Sequence, residues 1–171
     1  HMGIITFAFG MGGAVAAFAG LLHMTVHSLT KSAIFFTVGH AAQKTGTQNM
    51  ADIRGLIERN PTIGWGLMLG TLAILGLPPF GVFASEFMIL TTAMHQHAWS
   101  TPFLLFALAV AFAAVFSKLQ PMVFGESTAK RLPHQPALLP VFVHLALVLV
   151  LGLYIPPYLV AWYRQAAALI G

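Results

Sequence analysis

The stretch at residues 21–36, LLHMTVHSLTKSAIFF, decides how the rest of the chain is read. It is apolar enough for a membrane interior, yet it carries His23, His27 and Lys31 at i, i+4 and i+8. On a helix that spacing drifts only about 40° per step, so the three groups share one stripe, with Thr30 beside it. Successive groups stand roughly 6 Å apart along the axis, a gap that one or two waters bridge. Imidazole titrates near neutrality, so a stripe of this kind suits proton passage at physiological pH.

The composition outside this stretch agrees with a membrane setting. Of 171 residues, 58% are hydrophobic and 7% charged, with mean hydropathy +0.83; soluble domains carry about 25% charged residues. Twelve charged side chains, eight basic and four acidic, do not cover the surface of a soluble domain of this size. The balance argues against a nucleic-acid binder, an ordinary cytosolic enzyme and a disordered tail. The net charge of +4 is spread along the chain and forms no phosphate-tracking cluster. Absence of cysteine removes disulfides, thiolate zinc sites and cysteine-held iron–sulfur clusters.

Hydropathy and breakers predict an all-α, polytopic transmembrane bundle of about six spans. Residues 3–11 are apolar but too short to cross, and His1-Met2 reads as a cloning scar or as the start of a chain inside a helix whose first half is missing. Gly12-Gly13 form a break. Spans are then expected at 14–42, 63–77, 81–99, 103–124 and 137–155. Pro78 and Pro79 end the third apolar run, and Pro121 interrupts the fifth. In the polar link 43–62, Ile53, Leu56 and Ile57 suggest a short interfacial helix, and residues 158–170, with Trp162, Tyr163 and Arg164, suggest another. If spans alternate, the 43–62 link, the 99–102 turn and the C-terminus share a side holding Lys44, Arg54, Arg59 and Arg164. The other side holds Lys130 and Arg131, so the positive-inside bias makes loop 43–62 cytoplasmic.

Three charges fall inside spans: Lys31, Glu86 and Lys118. Each costs roughly 2.5–3.5 kcal/mol at a helix centre on insertion scales, which marks it as a functional candidate. Snorkelling or a structural ion pair is the competing reading; it is weakest for Lys31, far from both span ends. Lys118 beside Pro121 resembles the polar sites that broken helices expose at depth. No metal site is expected, because HMTVH lacks the glutamate of a metalloprotease helix and no carboxylate or cysteine stands nearby in sequence. A haem held between His23 or His27 and His144 is the chemical alternative. His40 reads as an interfacial residue, and His95 and His97 as a proton exit or as polar residues at a helix end. Gly66 and Gly70, spaced as GxxxG, support close helix packing.

The run LLHMTVHSLTKSAIFF, the link NMADIRGL (49–56) and GLPPFGVFASEFMIL (76–90) together resemble the antiporter-like, proton-translocating membrane subunits. That superfamily occurs in respiratory complex I, membrane-bound hydrogenases and multi-subunit Na+/H+ antiporters. VHSLTKSAIFFTVGH and SKLQPMVFGES (117–127) resemble the hydrogenase-4 component F branch. The resemblance covers about residues 1–127 and implies a fold with two inverted repeats, each containing a broken helix, of which this chain would supply the second. It implies a proton-conducting module at 1–125 followed by a C-terminal transmembrane hairpin or interfacial segment at 126–171. His23, His27 and Lys31 match the family's central-axis positions, Lys118 its broken-helix residue, and Glu86 the glutamate of its EF motif.

The expected function is proton translocation through buried Lys and His side chains in a hydrogenase or NADH:quinone oxidoreductase-like complex of the cell inner (plasma) membrane. A multi-subunit Na+/H+ antiporter component and a non-conducting membrane anchor are the alternatives. No cofactor is expected, since nothing in the chain suits NADH, flavin, nickel or a cluster, and redox chemistry would belong to partner subunits. Lipid and those subunits are the expected partners, with no nucleic acid.

Overall fold

The computed structural model describes residues 1–127, 132 and 138–170, and the described residues are helical with no strand. The helices are α1 (Met2–Met11), α2 (Ala14–Thr45), α3 (Leu56–Arg59), α4 (Pro61–Ile74), α5 (Gly81–Gln96), α6 (Thr101–Phe124), α7 (Leu139–Leu153) and α8 (Pro157–Ile170). A 3-10 turn, Ala98–Ser100, joins α5 to α6.

The axis of the molecule is α2, whose 32 residues extend about 48 Å at 1.5 Å each. Its hydroxyls do not oppose the helix: Thr30 and Thr37 donate to the carbonyls of Val26 and Ala33 at 2.7 and 2.8 Å. One end of α2, at Gly13, lies by Gln96. The other end leads into the 46–60 link.

α4 begins where Asn60 caps it, its side chain accepting from Ile63 N at 3.2 Å with Pro61 in the first turn. From there α4 and α5 run together antiparallel to α2. A Cβ on Gly66 would sit 3.3 Å from Thr37 Oγ1 and one on Gly70 2.9 Å from Ile34, so the GxxxG pair does serve close packing. Further along, Gly81 meets Val26, Ser85 meets His23, and Gln96 reaches Gly13. The two runs expected as separate spans at 63–77 and 81–99 are therefore one traversal broken in the middle. α4 has 14 residues and α5 has 16, each short of the ~20 a bilayer crossing needs.

α7 and α8 repeat the arrangement. Val141 packs near Gly66, the Val148 carbonyl near Gly81, and Gly152 against the Pro79–Phe80 backbone. The chain then bends by 77° at Pro156–Pro157, and α8 continues along the first half of α2, with Tyr163 packed among Leu22, Val26, Val82 and Leu151. Residues 158–170, expected as an interfacial segment, thus line the first half of α2.

α6 returns in one piece. It starts beside α1 and ends with Met122 and Val123 in the same core as Ala33, Ala41, Ile53 and Leu56. Pro121 does not divide it; it sits within the last turn, where a missing N–H frees only the Ser117 carbonyl and Gly125 N closes the helix on Pro121 O at 2.9 Å. The expected spans are not matched helix by helix. Among the described residues only Ala98–Phe124 is long and apolar enough to cross a membrane by itself, and α7 with α8 qualifies as a bent pair. α2 has the length, but its histidines, lysine and hydroxyls lower its hydropathy. The helix expected over residues 51–59 shrinks to α3, because Ile53 and Leu56 are buried wedges in the core instead of an interfacial face.

Candidate functional site

Two interruptions meet at the middle of α2. The 75–80 corner between α4 and α5 and the 154–156 corner between α7 and α8 both lie against residues 22–29, and His1, ahead of α1, stacks on His23 at the same level. Broken helices leave backbone groups unpaired, which is tolerated where protein or water satisfies them. Polar side chains gather at this level.

His23 is fully buried on α2, and its Nδ1 lies 2.8 Å from Ser85 Oγ on α5. The Ser85 hydroxyl already donates to its own helix, with Gly81 O at 3.1 Å and Val82 O at 2.9 Å. With that hydroxyl turned to either carbonyl it accepts from His23 Nδ1–H, and Nε2 of the neutral ring is then an acceptor. That Nε2 faces His1 Nδ1 at 3.4 Å, and the same His1 atom lies 3.3 Å from Glu86 Oε1. The approach to Glu86 lacks hydrogen-bond geometry, so Oε1, although buried, has no hydrogen-bond partner.

The histidine rings continue the cluster along the stripe. His23 and His27 are stacked with centroids 6.1 Å apart, and His1 lies 5.5 Å from His23 and 5.3 Å from His27. Lys31, one turn further, makes no ion pair among the described residues; its ammonium rests 4.8 Å from the Phe35 ring centroid. The Glu86 carboxylate is held on its other side by the corner itself, with Oε2 against the Cα of Gly76.

Of the sequence candidates, then, His23, His27 and Glu86 share one cluster and Lys31 extends it. Lys118 does not join: it lies on the exposed face of α6, with no hydrogen bond or ion pair to the cluster among the described residues. Pro78 and Pro79 sit in the corner beside Glu86, and the second deep corner is Pro156–Pro157, which sequence treated only as a span end. His144 is no partner for His23 or His27. Its Nδ1 donates to Pro140 O at 2.6 Å and its ring lies by Phe36, nine residues, or roughly 13 Å, beyond His27 along α2. A haem shared between them has no geometric basis. The sequence argument that no carboxylate stands near the histidines is corrected as well, because the antiparallel register of α5 brings Glu86 to them. His40 is half-buried, and His95 and His97 are exposed at the far end of α5. Lys130 and Arg131 lie outside the described residues.

Sequence reasoning missed His1 and Ser85. His1 stood outside every span, and nothing local marks it; Ser85 had one available signal, its place beside Glu86 one turn after Gly81.

A buried His–His–Glu cluster thus lies at the level where the two bent helix pairs turn, in a chain whose apolar helices are those of a membrane protein. Residues 1–117 match the family described as NADH:quinone oxidoreductase/Mrp antiporter, TM, and the chain belongs to it. It is 49% identical over 170 residues to a hydrogenase-4 component F homolog of Methylacidiphilum infernorum, covering 99% of this chain and 36% of that protein. Among solved structures it resembles a chain of the archaeal membrane-bound sulfane sulfur reductase, a respiratory membrane complex. That match has TM-score 0.82 and 27% identity, and covers 93% of this chain and 33% of the other. It also resembles a chain of respiratory complex I from Thermus thermophilus, with TM-score 0.84 and 22% identity, covering 100% of this chain and 38% of that one. The chain thus spans about a third of the length of these relatives. It is a membrane protein with the fold of the antiporter-like subunits.

Proposed function

We propose that this chain is the proton-conducting part of an antiporter-like membrane subunit, working in a hydrogenase or NADH:quinone oxidoreductase-like complex of the cell inner membrane. The observation that carries the reading is the cluster of His1, His23 and His27, whose ring centroids lie 5.3–6.1 Å from one another at mid-helix, with Lys31 one turn further along the stripe. Protons pass between imidazoles through intervening water, and the ammonium of Lys31, which makes no ion pair among the described residues, gates the cluster by its charge. Glu86 supplies a carboxylate at the same level, and Lys118 is the exit residue on α6. Driving energy comes from charge changes in partner subunits, and loop 43–62 faces the cytoplasm.

The test is proton pumping by the intact complex in proteoliposomes. Lys31→Ala or Lys118→Ala abolishes coupled pumping while the complex assembles normally; full pumping in both variants refutes the reading. The family match covers quinone oxidoreductases and Mrp antiporters alike, which supports a second reading as a subunit of a multi-subunit Na+/H+ antiporter. Sodium uptake driven by an imposed pH gradient, without any redox substrate, identifies that case.

A further inference from the structure

We propose that His1, His23 and Glu86 form a binding site for a divalent transition-metal ion of the zinc type, with three protein ligands and one open position. One donor atom from each residue lies within 4.8 Å of the other two. Zinc bonds nitrogen and carboxylate oxygen at about 2.0–2.2 Å, so two ligands on a tetrahedral centre stand roughly 3.3–3.5 Å apart. The measured separations are 3.4 Å for His1 Nδ1 to His23 Nε2 and 3.3 Å for His1 Nδ1 to Glu86 Oε1. Two edges of a tetrahedron are therefore present before any ion arrives.

The protonation pattern fits as well. When Ser85 Oγ accepts a hydrogen bond from His23 Nδ1–H, the nitrogen facing the cluster carries a lone pair and the ring is held in orientation, the role of an outer-shell partner. An independent observation is Glu86 Oε1 itself: the residue is 8% exposed, the atom has no hydrogen-bond partner, and it points at His1. A buried acceptor without a donor is costly, and a cation satisfies it. Two imidazoles with one carboxylate favour zinc-like ions over magnesium or calcium, which take oxygen ligands. The fourth position is left to a water or another exchangeable ligand on the His1 side, which borders a largely apolar groove of about 490 Å³ between α1 and α6 lined also by Phe7, Trp99 and Phe103.

The experiment is a titration with Co2+, read by visible absorption, on the purified full-length polypeptide carried without a histidine tag. Wild type is expected to give the intense bands of four-coordinate cobalt at one ion per chain, displaced by Zn2+. Glu86→Gln and His23→Gln are expected to abolish the bands, and Ser85→Ala to weaken affinity about 10–100-fold. The exposed pair His95→Gln/His97→Gln is expected to leave them unchanged. A purely octahedral cobalt spectrum in wild type overturns the proposal, and so does an undiminished signal in Glu86→Gln. Loss of the signal in the His95/His97 variant overturns it too. Size-exclusion profiles report folding, and the graded Ser85→Ala response decides the matter if His23→Gln does not fold. The readout is independent of transport, so a failed pumping test at Lys31 leaves this site standing, and the reverse.

Discussion

Position 76 needs glycine for two reasons. Its φ of +67° closes α4 in a Schellman arrangement, with Leu77 N donating to Leu72 O and Gly76 N to Ala73 O, each at 3.2 Å. Its Cα also faces Glu86 Oε2, where a methyl would collide. Gly76→Ala is expected to cost at least roughly 1–2 kcal/mol from the backbone alone and to displace the carboxylate from His1. Thermal unfolding of the purified protein measures the first, and loss of cobalt binding with retained fold measures the second. Tyr163 ties α8 to α2, its hydroxyl 2.5 Å from Thr25 Oγ1. Tyr163→Phe keeps the ring against Phe18 and removes the bond, for an expected loss of about 0.5–1.5 kcal/mol. Faster hydrogen exchange confined to α8 is the check. The stripe His23, His27, Lys31 was legible in sequence because it depends only on the helical period. Ser85, Glu86 and His1 meet it through the register of α5 and α1 against α2, which no local pattern encodes.

At the scale of elements, breaks matter more than ends. Pro78–Pro79 and Pro156–Pro157 look alike in sequence, as terminators of apolar runs. Each instead interrupts a traversal that resumes, because the helix after it has its own apolar face to bury against the first half of α2. Pro121 looked like a deep break and is not one, being too near the end of α6 for its missing N–H to matter at depth. Pro121→Ala is therefore expected to restore a bond to the Ser117 carbonyl and slow amide exchange over residues 119–124. Unchanged exchange there would show that the carbonyl is already satisfied. The segment 51–59 makes the converse point. Its spacing of Ile53, Leu56 and Ile57 suits an interfacial helix, but Ile53 and Leu56 pack into the core with Ile63 of α4 and Met122 and Val123 of α6, and Ile57 lies against it. Leu56→Ala, at a site with no exposed surface, is expected to cost about 2–5 kcal/mol in unfolding free energy. An interfacial residue would cost far less.

For the whole molecule, merging two pairs of helices into two bent traversals changes which links share an end. Alternation over six spans put the 43–62 link, the 99–102 turn and the C-terminus together. In the structure the 97–100 turn and the end of α8 lie at the Gly13 end of α2, opposite the 46–60 link. Ser127 lies against Gly55, and Leu132 N donates to Arg59 O at 2.9 Å, so the chain leaving α6 emerges at the 46–60 end. Lys44, Arg54 and Arg59 are at that end. Arg164 is the one Lys or Arg at the other end among the described residues. The basic asymmetry is thus larger than the sequence count implied and favours the same face, so the 46–60 end is expected in the cytoplasm. Because the chain has no cysteine, single replacements report sidedness cleanly. Gln48→Cys and His97→Cys, both at exposed positions, are expected to react with a membrane-impermeant maleimide from opposite faces, Gln48 only in inverted vesicles. Labelling of both from one face would restore six alternating spans and undo the two bent traversals, and with them the shared depth at which His1, His23 and Glu86 meet.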